Sequence, residues 1–333
     1  MPCPYSLYPF NPNIMQLSKI GEFGLINNLR SRCKNSSPDI LIGIGDDAAA
    51  VKSVRGKALF TSDILIEGTH FDLSLTTFYQ LGWKFLAVNI SDIFAMGGKP
   101  DYFITGLGIP NKFATRDIDD LYSGILDIAK KFGVKIIGGD TCSSNHGLVL
   151  SGTLVGNGNR IITRSTAKPG DGIFVTKTLG DSAMGFELLK KGQKKVRSFS
   201  GSTSRLKLTK RHLMPEPSPL KITSKISSMI DTSDGLLIDL GHICDESKTG
   251  ALLYKNEIPV SDSLIKTAKK MGKDPIKFAL KGGEDYALLF TAPKNIRTEA
   301  FRIGEIISTG RYIIDADGNK TPFQAEGYEH FKK

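Results

Sequence analysis

Apolar residues recur along the chain in two patterns, one typical of helices and one typical of strands. Spacing of three to four residues predicts helices, whereas short apolar runs bounded by turn residues predict strands. The helical pattern covers 15–26, 77–96, 116–132, 182–191, 220–228, 235–247 and 261–271. The strand pattern covers 40–44, 58–60, 64–66, 102–107, 135–137, 148–155, 172–176, 229–231, 251–254 and 286–291. This alternation predicts an α/β fold in the first half and an α+β fold in the second.

Turn-forming stretches divide the chain into a leader and two domains. Residues 1–14 hold four prolines and no apolar periodicity, so we expect this leader to belong to no core. The stretch RSTAKPGDG at 164–172 is rich in turn residues and is interpreted as a hinge. We therefore predict an N-terminal α/β domain over 15–160 and a C-terminal α+β domain over 161–333.

The composition is that of a folded protein. Of the 333 residues, 40% are hydrophobic and 23% are charged, which excludes an intrinsically disordered chain. No stretch approaches the roughly 18 consecutive apolar residues of a membrane helix, and the N-terminus lacks a signal-peptide pattern. We expect a cytoplasmic protein that interacts with no membrane. Four cysteines without a C-x-x-C pair favour free thiols over disulfides or a zinc site; they are Cys3, Cys33, Cys142 and Cys244.

The net charge of +10 comes from one part of the chain, the basic segment 190–211. It holds nine lysines and arginines and no acidic residue, and the rest of the chain is nearly neutral. Because the segment is also serine-rich around 198–204, one interpretation is a solvated helix end and a mobile loop. The other is a patch that contacts phosphates.

Acidic residues cluster where turns interrupt apolar runs. Alone, each would be interpreted as a helix N-cap or a turn residue. Together they form an array of hard oxygen ligands without a nearby His/Cys cluster, which points to Mg²⁺. The array comprises Asp46, Asp47, Asp63, Asp92 and Asp140 in the first half and Asp231, Asp234, Glu284 and Asp285 in the second.

Other nucleotide and hydrolase motifs are absent or fit poorly. Gly43-x-Gly45-x-x-Ala48 has the spacing of a dinucleotide fingerprint, but Asp46 and Asp47 would repel the pyrophosphate at that turn. The chain has no P-loop, no protein-kinase motif set and no G-x-S-x-G. Among the histidines, His70 follows Asp63 by seven residues, which makes it a candidate substrate contact.

Eight motifs between Gly21 and Phe331 resemble those of the thiamine-monophosphate kinase family. They are GEFGLI, GIGDDAA, TSDILIEGTHF, GWKFLAVNISDIFAMGGKP, GGDT, DTSDGL, GGEDYALLF and GYEHF. GEFG, GTHF, GGEDY and G-Y-x-H-F in combination select this kinase within the superfamily of aminoimidazole ribonucleotide synthetase. The resemblance implies ATP-dependent phosphorylation of thiamine monophosphate to thiamine diphosphate, with Mg²⁺ and K⁺ as cofactors.

The resemblance also implies which residues form the site. The implied Mg²⁺ ligands are Asp47, Thr61, Ser62, Asp63, Asp92, Asp140, Asp231 and Asp234. The implied ATP-binding residues are Tyr122, Gly139, Asp140, Arg164 and Ser233. The implied contacts to thiamine monophosphate are His70, Glu284 and Tyr328. In HLMPEPSPL, Met214 and Ser218 stand where the family commonly has arginines, so these two positions are assigned no role.

Phosphoryl transfer between two phosphates suits this residue set on physical grounds. Charge repulsion between two polyanions dominates the barrier, and positioned metal ions lower it. The carboxylates are then metal anchors rather than bases. Because the acceptor phosphate oxygen is already ionised near neutral pH, we expect no dedicated catalytic acid or base.

The resemblance further implies a two-domain fold like that of aminoimidazole ribonucleotide synthetase. In such proteins the N-terminal domain contributes strands to a β-barrel shared by the two subunits of a homodimer. The segment 56–71 would be one of these strands, and its apolar edge would otherwise favour aggregation.

Two other functions remain open from the residues. One is a related synthetase of the same fold, such as a selenophosphate or aminoimidazole ribonucleotide synthetase. Against the first of these, neither Cys3 nor Cys33 lies in the context of a reactive cysteine followed by a glycine-rich lysine motif. The other is a nucleic-acid-binding protein acting through the basic segment, although we expect no nucleic-acid partner.

Overall fold

The computed structural model describes residues 40–42, 46, 49–53, 56–220 and 225–331. Residues 35–328 form one compact unit that contains every sheet and helix of the described residues. The predicted leader 1–14, the helix predicted over 15–26 and the motif GEFGLI lie outside the described residues.

The described residues form thirteen strands and seven α-helices. The strands are β1 (Ile40–Ile42), β2 (Ala49–Ser53), β3 (Gly56–Ile66), β4 (Lys99–Ile109), β5 (Lys135–Ser143), β6 (Val149–Gly158), β7 (Asp171–Val175), β8 (Ser228–Asp231), β9 (Gly250–Tyr254), β10 (Leu288–Pro293), β11 (Phe301–Ile307), β12 (Arg311–Ile314) and β13 (Lys320–Pro322). The helices are α1 (Phe78–Ala95), α2 (Thr115–Phe132), α3 (Asp181–Gly192), α4 (Ser204–Leu213), α5 (Leu236–Ser247), α6 (Asp262–Lys270) and α7 (Pro275–Lys281).

The first sheet has six strands in the order β1-β2-β3-β6-β4-β5. Only β4 and β5 run parallel, and α2 makes the crossover between them. The register places Asp63 opposite Gly152, Gly152 opposite Thr105, and Thr105 opposite Gly139. One row across four strands therefore joins Asp63 on β3 to Gly139 on β5.

Helices α1 and α2 cover one face of this sheet. A capping box begins α1: the Gln80 amide donates to the Thr77 hydroxyl, and the Thr77 amide donates to the Gln80 side chain. The two helix backbones touch, because a Cβ at Gly82 would overlap the Leu121 carbonyl and a Cβ at Gly124 would overlap the Tyr79 carbonyl. Nearly every side chain of α1 is buried, so this helix is held rigidly in the core.

The opposite face of the first sheet exposes large apolar side chains. Phe60, Ile64 and Ile66 of β3 alternate with the buried Leu59 and Leu65. Ile64 is 52% exposed. Further exposed side chains on β4 and β5 are Tyr102, Ile104 and Ile137. We call these six exposed residues the apolar face.

The second sheet has seven strands in the order β13-β12-β9-β11-β7-β10-β8, all antiparallel except the pair β9 and β12. Its core includes Ile173 and Val175 of β7 and Leu289 of β10, packed against Leu240 and Ile243 of α5. The two sheets fall on either side of residue 160, and the division into two domains there remains a prediction.

Some predicted elements were wrong or missing in the second half. A helix was predicted over 220–228, but Leu220 and 225–227 are not helical and Ser228 begins β8; residues 221–224 lie outside the described part. Helices α4 and α7 and strands β11 to β13 were not predicted. The predicted hinge holds a single 3₁₀ turn at Arg164–Thr166 before β7.

Among the described residues, no helix combines the length and apolar character needed to cross a bilayer. Cys142 is exposed and Cys244 is buried, and both are free thiols.

Candidate active site

The first acidic position joins β3 to α1. Thr61 and Asp63 lie on the face of β3 that the helices cover, and the Thr61 hydroxyl donates to Asp92 Oδ2 on α1 at 2.5 Å. Ser62 lies on the opposite, exposed face, where its Oγ is 3.3 Å from the Thr153 hydroxyl. The structure thus brings Thr61, Asp63 and Asp92 together and directs Ser62 away from them. Asp47 lies outside the described residues.

The second acidic position follows β8. Asp231 is buried at the end of this strand, and its Oδ2 accepts a hydrogen bond from the Ser91 hydroxyl of α1 at 2.5 Å. Asp234 lies in the turn after this strand, and Asp239 on α5 accepts from the Gly235 amide at 3.0 Å. Adjacent residues of α1 therefore contact both halves of the chain: Asp92 binds Thr61 of β3, and Ser91 binds Asp231 of β8. We call Asp63, Asp92, Asp231, Asp234 and Asp239 the aspartate group.

Electrostatic effects show that members of the aspartate group lie in one region. Burial, and then the charges of Asp234 and Asp231, raise the pKa of Asp239 well above its usual value. Burial raises the pKa of the Tyr286 hydroxyl, and the charges of Glu284, Asp63, Asp231 and Asp234 raise it further. Negative charge from both halves of the chain therefore accumulates around Tyr286.

The aspartate group fits a magnesium ion that is shared with a ligand. Its donors are carboxylate oxygens, with the Thr61 hydroxyl beside them, and these are the ligands that Mg²⁺ prefers. Within the part of the chain that the structure describes, no three acidic, histidine or cysteine side chains converge tightly enough to bind a metal alone. Mg²⁺ usually takes one or two carboxylates and completes its shell with water and substrate phosphates, which agrees with this spacing.

A loop after α7 carries Glu284 toward α1 and α4. Glu284 has φ of 65°, and its amide donates to the Ser233 carbonyl at 2.7 Å. Its Oε1 lies 2.6 Å from Lys84 Nζ on α1, and its Oε2 lies 3.1 Å from His212 Nδ1 on α4. Burial alone would raise the pKa of the Glu284 carboxyl, but Lys84 and His212 outweigh burial and hold that pKa well below its usual range. Glu284 is therefore ionised.

The neighbouring carboxyl, Asp285, points into a different environment. It is buried, and it accepts hydrogen bonds from the Gly180 amide at 2.5 Å and the Ser182 amide at 3.1 Å, at the start of α3. Burial raises its pKa to about 7. Asp285 thus closes the N-terminus of a helix, where free amides need an acceptor.

His70 lines a cleft of about 370 Å³, which we call the His70 cleft. Its walls come from residues 67–72, from Lys84 of α1, from Phe186 and Lys190 of α3, and from His212 of α4. The Nδ1 of His70 accepts a hydrogen bond from the Ile66 amide at 3.0 Å, which fixes the ring. Glu284 adjoins this cleft without lining it, because it contacts two of the wall residues, Lys84 and His212. A larger cavity of about 570 Å³ lies beside Tyr254 and Arg302, on other elements.

The predicted ATP-binding residues fall into two places. Tyr122 and Gly139 meet at Thr105: the Tyr122 hydroxyl is 3.2 Å from Thr105 Oγ1, and a Cβ at Gly139 would overlap the Thr105 carbonyl. Asp140 is exposed on β5 at the sheet edge, and its Oδ1 accepts from the Thr141 amide at 2.8 Å.

Arg164 and Ser233 lie elsewhere in the structure. Arg164 Nε is 3.6 Å from Asp46 Oδ1, and the Arg164 charge acts on Asp239. Ser233 adjoins Asp234 and holds the Glu284 amide through its carbonyl. Tyr328, predicted as a substrate contact, donates its amide to the Asp234 carbonyl at 3.1 Å, and its side chain is half exposed. These three residues thus adjoin the aspartate group or Glu284.

Part of the basic segment packs on the protein beside the His70 cleft. The Val196 carbonyl accepts from Gln80 Nε2 at 2.5 Å, and Val196 and Phe199 pack against a small cluster that includes Leu75 and Leu213. Lys190 lines the cleft with its Nζ 5.3 Å from the Phe186 ring centroid. Parts of the segment therefore contact the folded body, and the mobility expected of its loop stays a prediction.

Sequence reasoning missed two residues of the site. Lys84 lies within the motif GWKFLAVN, and His212 begins the stretch HLMPEPSPL. A lysine on a helix is usually solvated and a lone histidine carries little signal, so neither pattern indicated contact with Glu284.

Sequence comparisons with known proteins bear on the family of the chain. The family described as AIR synthase related protein, N-terminal domain, matches residues 45–157. Thiamine-monophosphate kinase of Aquifex aeolicus (strain VF5) is 34% identical over 322 residues, covering 95% of this chain and 100% of that protein. The same enzyme of Escherichia coli (strain K12) is 34% identical over 339 residues, covering 93% and 98%.

A solved structure, AaThiL complexed with AMPPCP and TMP, superposes with a TM-score of 0.84 at 33% identity. It covers 97% of this chain and 100% of that chain. The fold of mixed α/β sheets is thus that of the aminoimidazole ribonucleotide synthetase type, as predicted. At this identity over nearly the full length of both proteins, the chain belongs to the thiamine-monophosphate kinase family.

Proposed function

We propose that this enzyme transfers the γ-phosphoryl group of ATP to thiamine monophosphate, giving thiamine diphosphate and ADP. One observation carries the proposal: the loop 282–286 joins the two parts of the site. Glu284 reaches Lys84 and His212 of the His70 cleft, whereas Tyr286 lies in the field of Asp63, Asp231 and Asp234. A substrate in the cleft is thereby next to the region that holds phosphates and cations.

The chemistry needs no proton transfer in the reacting step. An ionised oxygen of the acceptor phosphate forms the new bond to the γ-phosphorus, and the bond from that phosphorus to the β,γ-bridging oxygen breaks. ADP leaves with the electron pair of that bond. Since the nucleophile is already an anion, positioning and charge neutralisation dominate catalysis.

Mg²⁺ would be held by Asp63, Asp92, Asp231 and Asp234, with Thr61 beside them; Asp47 and Asp140 are the remaining carboxylates in this proposal. When bound, Mg²⁺ neutralises the negative charge on the transferring phosphate. The hydroxyls of Thr61 and Ser91 orient Asp92 and Asp231 through hydrogen bonds, which is how protein groups preorganise metal ligands. Ser62 is the weakest member of the predicted ligand set, because it lies on the opposite face of β3.

The nucleotide would extend along the row from Asp63 to Gly139. Three strand spacings separate these residues, roughly 14 Å, which is comparable with the length of a nucleoside triphosphate. Gly139 packs against Thr105 at the far end of the row, where Tyr122 and Asp140 also lie. Arg164 and Ser233 adjoin the aspartate group, where the phosphates would be.

Thiamine monophosphate would occupy the His70 cleft. His70, Glu284 and Tyr328 are the proposed contacts. An ionised carboxylate at Glu284 suits a ligand that carries an amino group and a cationic thiazolium ring. The AMPPCP and TMP bound by AaThiL support this assignment of donor and acceptor.

A homodimer would cover the apolar face. Six large apolar side chains exposed on three strands of one sheet are unusual for a monomer, and a second copy of the same surface is self-complementary under two-fold symmetry. Replacing Ile64, which is 52% exposed, with aspartate is expected to convert the dimer into a monomer in sedimentation velocity. An unchanged sedimentation coefficient, or a monomeric wild-type protein, would contradict the proposed interface.

K⁺ as a second cofactor and a cytoplasmic location remain predictions. The first is checked by comparing rates in potassium and sodium salts at equal ionic strength. The second is checked by fractionation of the cells that make the protein.

The function is tested by incubating the protein with ATP, Mg²⁺ and thiamine monophosphate and separating the products chromatographically. We expect thiamine diphosphate and ADP in equal amounts. ATP consumption without thiamine diphosphate would instead favour a related synthetase. Neither product, in a protein that melts cooperatively, would reject the assignment.

A further inference from the structure

Two side chains in the His70 cleft hold Glu284 from opposite sides. Lys84 Nζ lies 2.6 Å from Oε1, and His212 Nδ1 lies 3.1 Å from Oε2. The Lys84 side chain is 7% exposed and that of His212 is 11% exposed, whereas that of Glu284 is 32% exposed, so both donors are buried and the carboxylate keeps an accessible side. A buried lysine is costly unless it is paired, which makes this ion pair a fixed feature of the cleft.

The protonation of the three groups follows from their surroundings. Burial, and then the charge of Lys84, lower the pKa of His212, so its imidazole is neutral near pH 7. The Nδ1 of His212 lies 3.1 Å from Glu284 Oε2 and 3.2 Å from the Ser182 hydroxyl oxygen. Because a carboxylate only accepts hydrogen bonds, this nitrogen carries the hydrogen that Glu284 accepts. Lys84 and Glu284 then form a neutral pair, and His212 adds a directional donor without a further charge.

The two donors come from rigid supports, whereas Glu284 comes from a loop. Lys84 lies on α1, whose backbone is fixed by its capping box and by the contact of Gly82 with α2. His212 stacks on Phe186 of α3, with ring centroids 4.9 Å apart. Glu284, by contrast, has a positive φ that non-glycine residues seldom adopt. Its backbone is anchored at Ser233, but its side chain depends on Lys84 and His212 for its orientation.

We propose that Lys84 and His212 are positioning residues that fix the carboxylate of Glu284 for recognition of the acceptor substrate. The inference rests on the proposed function, in which Glu284 contacts thiamine monophosphate. A carboxylate has about four lone-pair positions, and two donors leave others available to a ligand in the cleft. Lys84 and His212 thus act on the acceptor through Glu284 and not on ATP.

The test measures the KM for thiamine monophosphate and for ATP in Lys84→Met and Lys84→Arg. We expect Lys84→Met to raise the KM for thiamine monophosphate about tenfold or more and to leave the KM for ATP within about twofold. Lys84→Arg keeps the charge and should restore most of the loss. Lys294→Met is the matched control, because Lys294 pairs with Glu305 on other elements and should leave both constants unchanged.

A double-mutant cycle separates positioning from direct contact. In a Glu284→Gln background no carboxylate remains to be positioned, so adding Lys84→Met should change the KM for thiamine monophosphate by less than about twofold. If Lys84→Met does not fold, His212 provides the same test. His212→Leu should raise that KM, and His212→Asn, whose amide nitrogen takes the place of Nδ1, should keep it near the wild-type value.

Several results would overturn the inference alone. The first is an active wild-type enzyme whose KM for thiamine monophosphate does not change in Lys84→Met. The second is an equal rise in the KM for thiamine monophosphate and for ATP. The third is an effect of Lys84→Met that is just as large in the Glu284→Gln background. A wild-type protein that forms no thiamine diphosphate would overturn the proposed function, and this inference with it.

Discussion

The aspartate group and Glu284 both place carboxylates near Tyr286, yet their neighbours act on them in opposite directions. Asp231 and Asp234 add to the effect of burial and raise the pKa of Asp239, and the opposing charge of Arg164 does not prevent this. Lys84 and His212 overcome burial and lower the pKa of Glu284. In the aspartate group, the negative charge has to be balanced by cations from outside the chain. At Glu284, the chain supplies its own cation, Lys84. The first suits phosphates with metal ions, and the second suits recognition of an organic substrate.

The largest expected effect is the loss of an aspartate. Asp63→Ala or Asp92→Ala should lower the rate of transfer by about a hundredfold or more at saturating Mg²⁺, because each change removes a charge that would anchor the metal. A thermal melt checks that the variant is folded, and Asp317→Ala in an exposed turn is the control. Activity retained at more than a few per cent of wild type would remove that residue from the metal site.

A different kinetic signature is expected at Glu284. Glu284→Gln should raise the KM for thiamine monophosphate about tenfold or more and change that for ATP little, since the lost charge adjoins the cleft through Lys84 and His212. Steady-state kinetics with each substrate varied in turn measure the two constants. If both constants rise together, Glu284 belongs with the aspartate group and the two regions do not differ in role.

Asp285 sharpens the comparison because it adjoins Glu284 but has a raised pKa. Its pKa is about 7 in the folded protein and 3.8 without perturbation, so the folded state holds the proton more tightly. The contribution of Asp285 to the free energy of unfolding is therefore greatest below about pH 4. It falls as the pH rises to 7, by at most about 4 kcal/mol. Melts of wild type and Asp285→Asn from pH 4 to 7 should show wild type losing more stability than the variant. A constant difference between the two would mean that Asp285 does not titrate there.

The smallest effect is expected from the basic segment. Lys190 lines the His70 cleft and Lys195 acts on Asp72 at its rim, so replacing both with glutamine should raise the KM for thiamine monophosphate a few fold at low salt. The shift should vanish at high ionic strength, because salt screens exposed charges beyond about 8 Å. Lys191→Gln with Lys194→Gln is the matched control, with a smaller shift expected. Tight, salt-sensitive binding of wild type to RNA or DNA would instead support the nucleic-acid hypothesis.

Elements with a strong apolar period were predicted closely from the sequence. The helix expected over 77–96 is α1 at Phe78–Ala95, and the one expected over 116–132 is α2, which ends before Gly133. Helix α4 was not predicted because most of its residues are basic or polar. Its few apolar positions, which include Leu208 and Leu213, are buried by tertiary packing. The helix predicted over 220–228 was wrong because Ser228, at its end, belongs to strand β8, which pairs with β10 at the edge of the second sheet.

In the candidate site, the carboxylates were predicted from their positions at turns in the sequence, but the residues that contact them were not. Asp63, Asp92 and Asp231 each end or interrupt an apolar run, which a sequence shows directly. Lys84 and Glu284 are 200 positions apart, and only tertiary contact makes the lysine a buried partner. The opposite orientation of Ser62 follows from the two-residue period of β3, since neighbours on a strand face opposite sides.

Helix α1 sets the distance between the two parts of the proposed site. Lys84, which holds Glu284, and Ser91, which holds Asp231, are seven residues apart on this helix, about two turns, so they lie on the same side about 10 Å from each other. A single inserted residue between them would rotate one relative to the other by about 100° and move it about 1.5 Å along the axis. The number of residues between Lys84 and Ser91 is thus constrained by the site, whereas the lengths of the loops around the site are less constrained.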